Sequence, residues 1–138
     1  MGDEQMKILL DTHVLVWAVE SPEELGRNSK SLIEDGENEV FISPVSTLEL
    51  AQLIRSGRIE LNQTLGSWIK RAMKNLKAET VPFTHEIAET AYRLQEPFHK
   101  DPADRILVAA AVLENFTLIT ADERILNYKH ASSVNARK

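Results

Sequence analysis

An α/β fold, with a parallel sheet covered by helices on both faces, is what this chain predicts. Three observations carry that prediction. Short apolar runs of strand length, at residues 7–10, 39–43, 79–82 and 117–120, alternate with longer stretches of helical periodicity. One of those stretches, Ile106-Leu107-Val108-Ala109-Ala110-Ala111-Val112-Leu113, is apolar all round, as a helix at the centre of a layered domain must be. No repeat or low-complexity linker interrupts the 138 residues, so residues 1–138 read as one domain with room for a core.

The elements follow in order. Met1 to Gln5 reads as an extension ahead of the first strand, Lys7-Ile8-Leu9-Leu10. A helix over 13–19 comes next, with Val14, Leu15, Trp17 and Ala18 making a mostly apolar turn. Ser21-Pro22-Glu23-Glu24 opens a short helix, with Ser as cap and Pro at the first helical position. A further helix over 28–34 ends at Asp35-Gly36. Val40-Phe41-Ile42 is the centre of the second strand, which Pro44 stops, and a helix over 45–55 is closed by Gly57. The helix over 65–76 puts Leu65, Trp68, Ile69, Ala72 and Leu76 on one face, with Lys70, Arg71, Lys74 and Lys77 on the other. The third strand spans 79–82, and Thr84 caps a helix running to about residue 94. Asp101-Pro102 starts the apolar helix that reaches Glu114, and residues 117–120 form the fourth strand. Asp122 caps a short helix over 123–126. The tail 132–138 is polar for a closing strand, so the parallel sheet has four strands, or five if 132–134 joins it.

Composition narrows the function classes. A net charge of −5 argues against a protein that coats nucleic acid, which would be basic. With no cysteine, disulfides, thiolate zinc and a cysteine nucleophile are excluded. No apolar run approaches a membrane span, and the N-terminus lacks the basic and apolar regions of a signal peptide; a cytoplasmic protein is expected.

Four acids stand in apolar surroundings: Asp11 after the first strand, Glu49 within Val45-Ser46-Thr47-Leu48-Glu49-Leu50-Ala51, Asp104 at the head of the apolar helix, and Asp122 after the fourth strand. Burying a carboxylate is costly unless something positive compensates it. Structural readings exist for each. Asp11 and Asp122 can be helix caps, Glu49 can pair with Arg55 or Lys7, and Asp104 can balance Arg105. The alternative is convergence on a hard divalent cation, with Asp11 and Asp122 at the carboxyl ends of strands, where open α/β sheets bind ligands. The four histidines have no zinc-motif spacing, and neither a Gly-rich phosphate loop nor a Gly-x-Ser-x-Gly elbow occurs. The basic face Lys70, Arg71, Lys74, Lys77 is either a solvated helix surface or a contact for phosphates. An Asp-nucleophile phosphatase would have Asp-x-Asp at the first strand end, whereas the chain reads Asp11-Thr12-His13.

The segments that carry these acids resemble the PIN domains, in particular the VapC-type toxins of toxin–antitoxin pairs. Leu9-Leu10-Asp11-Thr12-His13-Val14-Leu15-Val16-Trp17 resembles the family's opening, and Ser43-Pro44-Val45-Ser46-Thr47-Leu48-Glu49-Leu50-Ala51 its second acidic segment. Phe98-His99-Lys100-Asp101-Pro102-Ala103-Asp104-Arg105-Ile106 and Leu118-Ile119-Thr120-Ala121-Asp122-Glu123-Arg124 resemble the third and fourth, in the family's order. The resemblance implies a PIN-like three-layer fold and an endoribonuclease dependent on Mg²⁺, for which Mn²⁺ can substitute. Asp11, Glu49, Asp104 and Asp122 would be its catalytic metal ligands, with Thr12, Ser46 and Thr120 as polar neighbours. It also implies cleavage leaving 5′-phosphate and 3′-hydroxyl ends, a homodimer, and a cognate antitoxin seated in the active-site groove. Apolar residues at Leu50, Ile54 and 65–68 are the expected antitoxin contacts. The competing expectation is a PIN-like module that binds RNA or a partner without cutting.

Overall fold

The computed structural model describes residues 5–138. The expected extension Met1 to Gln5 therefore lies, except for Gln5, outside the described residues. The strands are β1 (Lys7–Leu10), β2 (Glu39–Ile42), β3 (Glu79–Thr80), β4 (Thr117–Thr120) and β5 (Ser133–Asn135). The helices are α1 (Thr12–Glu20), α2 (Arg27–Glu34), α3 (Pro44–Arg55), α4 (Leu65–Leu76), α5 (His85–Thr90), α6 (Pro102–Glu114) and α7 (Glu123–Leu126). One five-stranded sheet has the order β3-β2-β1-β4-β5, and every pairing is parallel.

Strand alternation divides the core in two. Leu9 and Leu118 point into a cluster with Ile87, Leu107, Val108 and Phe116, beneath α5 and α6. Ile8, Leu10 and Ile119 point into the opposite cluster with Val14, Leu50, Trp68 and Ala72, beneath α1, α3 and α4. Helices thus cover both faces, which explains why the inner strands read as unbroken apolar runs. Leu107 through Ala111 of α6 are all buried, as the all-round apolar pattern requires. Among the described residues no helix is long and apolar enough to cross a membrane.

The strand order reverses between β1 and β4. Crossovers lead from β1 to β2 and β3 on one side, and then back to β4 and β5 on the other. A crevice at the carboxyl ends of β1 and β4 follows from that reversal.

Several local expectations are corrected. The third strand ends at Thr80, although the Val81 N–H still donates to the Ile42 carbonyl at 3.0 Å. Pro82, having no N–H, cannot extend the ladder. The helix capped by Thr84 stops at Thr90 instead of reaching residue 94. Ser21 makes no side-chain cap, and the segment after it is a single 3₁₀ turn, Pro22–Glu24. The fifth strand does form, over Ser133–Asn135, with Val134 in register with Ile119. Leu50 and Trp68, each 1% exposed, are core residues and are not available as antitoxin contacts. Leu48 is the large apolar residue of α3 that faces outward, at 61% exposure.

The chain after β5 docks against the start of α2. Gly26 donates to the Ala136 carbonyl, and the Asn28 N–H donates to the Lys138 carbonyl, both at 2.8 Å. A Cβ on Gly26 would stand 2.3 Å from the Lys138 backbone. Gly26→Ala is therefore expected to lower stability by about 2 kcal/mol through forced displacement of the tail, read as a lower melting temperature.

Candidate active site

Asp11 ends β1 and caps α1. Its Oδ1 accepts from the Thr12 N–H at 2.7 Å, and its Oδ2 accepts from the Thr120 hydroxyl at 2.6 Å. Thr120 in turn accepts from the Asp122 N–H at 3.0 Å, so one hydroxyl ties together the ends of β1 and β4. Glu49 reaches in from α3 and accepts from the Thr12 hydroxyl, which is also hydrogen-bonded to Ser46 at 2.9 Å. Thr12, Ser46 and Thr120 are each at most 2% exposed and fix the orientation of Asp11 and Glu49. The proposed partners of Glu49 lie elsewhere. Lys7 donates to the Glu114 carbonyl, and among the described residues Arg55 forms no ion pair.

Asp104 lies in the first turn of α6, which Asp101 caps by accepting from the N–H groups of Ala103 and Asp104. The expected Asp104–Arg105 balance is absent. Arg105 points the other way and is 7% exposed. Its guanidinium donates to the carbonyls of Ala91, Phe98 and His99 at 3.0, 2.9 and 2.9 Å, and lies 3.2 Å from Glu96. It thereby gathers the 91–99 loop, which begins where α5 ends because the N–H groups of Tyr92 and Arg93 turn to carbonyls three residues back, at Glu89 and Thr90. Arg105→Lys keeps the charge but cannot reproduce the planar fork. It is expected to cost about 2 kcal/mol, read as a lower denaturation midpoint with unchanged slope.

Asp11, Glu49, Asp104 and Asp122 line one cavity of about 330 Å³, together with His13, Trp17, Asp101 and Arg124. The crevice at the β1–β4 reversal is this cavity. At its edge, donor atoms of Asp104, Asp122 and His99 lie within 4.8 Å of one another. Asp11 and Glu49 stand outside that tight group, on the wall formed by β1, α1 and α3.

The electrostatics follow from this crowding. Burial, reinforced by the negative charges of Asp11, Asp101, Asp122 and Glu49, pushes the Asp104 carboxyl up to about 7. Burial also raises Asp11 and Glu49, against the opposing hydrogen bonds from Thr120 and Thr12. Asp122 moves downward because Arg124 hydrogen-bonds it, through Nε at 3.1 Å and a terminal nitrogen at 2.8 Å. That same guanidinium stands 3.6 Å from Asp104. Burial, then Arg124, pushes the His99 imidazole downward. His99 Nε2 lies 3.1 Å from Asp104 Oδ2, yet off the axis of a hydrogen bond, and it has no hydrogen-bond partner.

His99 and Arg124 are the residues that sequence reasoning passed over. Arg124 had a usable signal, being a cation two residues after a strand-terminal acid. Lys70, Arg71 and Lys74 are exposed on α4, outside this cavity. Arg71 is already paired with Glu20 at 2.9 Å, and Glu20 also accepts from the Trp68 indole.

Known proteins resemble this chain in sequence and in fold. Ribonuclease VapC22 of Mycobacterium tuberculosis is 33% identical over 127 residues, which cover 92% of this chain and 95% of the relative. The structure of VapBC2 from Rickettsia felis bound to a promoter DNA fragment superposes with a TM-score of 0.68 at 20% identity, covering 94% of this chain and 98% of that one. VapBC-1 from nontypeable Haemophilus influenzae gives 0.62 at 14% identity, covering 96% and 100%. At such identities the solved structures establish the fold alone. The family model described as PIN domain matches residues 8–131, a span that runs from β1 past α7 and takes in all four acids. With a relative aligned over nearly its full length besides, this chain belongs to the PIN domain family.

Proposed function

We propose that the protein is an endoribonuclease that uses Mg²⁺, or Mn²⁺ in its place, and acts as the toxin of a toxin–antitoxin pair. The observation that carries the reading is the meeting of four carboxylates in one cavity at the reversal of strand order. The ribonuclease VapC22 relative and the VapBC neighbours support it.

The donor set fits a hard divalent cation. Carboxylate oxygens dominate, three of the acids are raised by burial, and a buried imidazole nitrogen without a hydrogen-bond partner among the described residues faces Asp104. Asp11, Asp104 and Asp122 would hold the ion, with Glu49 as a further ligand or as the group that orients the attacking water. When bound, Mg²⁺ polarises the scissile phosphate and makes water a better nucleophile. The chain's own residues do the rest. Thr12 and Thr120 hold Glu49 and Asp11 in place, and Arg124 is placed to neutralise charge gathering on the phosphate oxygens.

Lys70 and Lys74 would contact RNA phosphates away from the cut. Lys70→Ala with Lys74→Ala is expected to weaken RNA binding and to make its salt dependence shallower by about one unit of log–log slope, measured by titration at several salt concentrations. A homodimer, a cognate antitoxin as partner and a cytoplasmic setting complete the proposal. Exposed Leu48, next to Glu49, replaces Leu50 and Trp68 as the apolar contact for the antitoxin. Incubation with a panel of structured RNAs, with Mn²⁺ and with EDTA, tests the activity. Discrete cuts with 5′-phosphate ends in Mn²⁺ alone are expected, and RNA left intact in Mn²⁺ would refute it.

A further inference from the structure

A separate cavity beside the acids, of about 580 Å³, lies between the 97–99 segment and the chain around α7. It opens next to the acid cavity, and Arg124 lines both. His99, which faces Asp104 at 3.1 Å, forms part of the same wall. The lining is aromatic. Phe98 and Tyr128 stand 4.8 Å apart between ring centroids, and Tyr128 and His130 stand 5.3 Å apart, edge to face. Tyr128 is 6% exposed and is locked by donating its hydroxyl to the Gln95 carbonyl at 2.7 Å, so the platform is preformed. Two cations, Arg124 and Lys129, complete the lining on a chain whose net charge is −5.

Rigid aromatic faces flanked by cations recognise an unstacked nucleobase and its phosphate. An apolar peptide side chain would also fit the rings, but it would leave Lys129, which among the described residues forms no ion pair, without a counter-charge. Because Arg124 lines both cavities, a strand whose phosphate sits at the acids can pass Arg124 and enter this one. We propose that the cavity is a base-binding subsite, which takes the base of a nucleotide adjoining the scissile phosphate, stacks it against Tyr128 and His130, and meets its phosphate with Lys129. This rests on the ribonuclease reading and adds to it a place where sequence preference at the cut is set.

The test uses short single-stranded RNAs carrying 2-aminopurine at successive positions, bound to the full chain in EDTA so that no strand is cut. Stacking quenches the probe. Quenching at one position is expected, lost in His130→Ala and restored in His130→Phe, which keeps an aromatic face; His130 is exposed, so neither change threatens the fold. In Mn²⁺, an abasic nucleotide at that position should raise KM about tenfold for the wild type and add little to the defect of His130→Ala. Equal quenching at every position, or quenching and KM indifferent to His130→Ala, overturns the proposal. Weaker capture of the antitoxin by that variant with RNA quenching unchanged would do the same, and would assign the cavity to a protein side chain. Position-specific quenching that depends on His130, in a protein that cuts no RNA in Mn²⁺, would refute the ribonuclease reading while upholding the subsite.

Discussion

Asp11→Asn is expected to cleave RNA about a thousandfold more slowly than the wild type, with a melting temperature no lower than the wild type's. The two halves of that outcome separate the two roles of one side chain. As a cap, Asp11 needs only an oxygen for the Thr12 N–H, and an Asn carbonyl oxygen supplies it. The Asn amide can then donate to the Thr120 hydroxyl, which reverses the sense of the present bond without leaving it unmade. As a ligand, Asp11 contributes a full negative charge beside the scissile phosphate, and a neutral amide does not replace it. Losing an interaction made chiefly in the transition state commonly costs several kcal/mol, on the order of a thousandfold in rate. Single-turnover cleavage at saturating Mn²⁺, with a melting curve on the same sample, decides between them. Wild-type cleavage by Asp11→Asn would reduce Asp11 to a helix cap.

That ambiguity between cap and ligand shows what was legible in the sequence. Asp11, Asp101 and Asp122 all cap helices, so the cap reading was correct for each and did not exclude a second role. The four acids could be found because each interrupts an apolar run, and strand ends in a parallel sheet share one edge. His99 could not, because its nearness to Asp104 arises from the closure of the loop before α6, and no fixed spacing encodes it. The inner strands were plain because burial on both faces leaves no polar alternation to misread. At the edge, β5 joins through backbone pairing with β4 while its side chains stay half buried, so its composition carries little signal. The end of α5 was misplaced because its ladder breaks where the Tyr92 and Arg93 N–H groups turn to Glu89 and Thr90, with neither Gly nor Pro at 91–94 to mark the stop. Leu50 and Trp68 were misassigned for a different reason. Helical periodicity marks an apolar face, but it does not say whether the domain's own core or a partner covers it.

Asp104→Asn should melt on the order of 5 °C higher than the wild type at pH 8 without metal, and should cleave RNA poorly at every pH. The carboxyl of Asp104 titrates at about 7 in the fold against an ordinary 3.8, chiefly because it is buried and secondarily because other acids surround it. Between those two values the folded protein retains a proton that the unfolded chain has released. The contribution of this group to stability therefore falls as pH rises through that window and is flat above it. The full penalty, about 2–4 kcal/mol, is present at pH 8 and absent at pH 3. Asn, neutral throughout, removes it. Asp11 and Glu49 are raised as well and leave some of the same slope in the variant; Asp122, lowered by Arg124, contributes with opposite sign. Mn²⁺ should stabilise the wild type strongly at pH 8, because it relieves the repulsion that the ionised Asp104 suffers, and should stabilise the variant much less. Melting curves at pH 5 and pH 8, with and without Mn²⁺, measure all of this. If the Asn variant loses stability at pH 8 without metal, the pairing of Asp104 with His99 and Arg124 outweighs the crowding of the acids, and Asp104 is a structural anchor of α6 instead of a strained carboxylate kept for a cation.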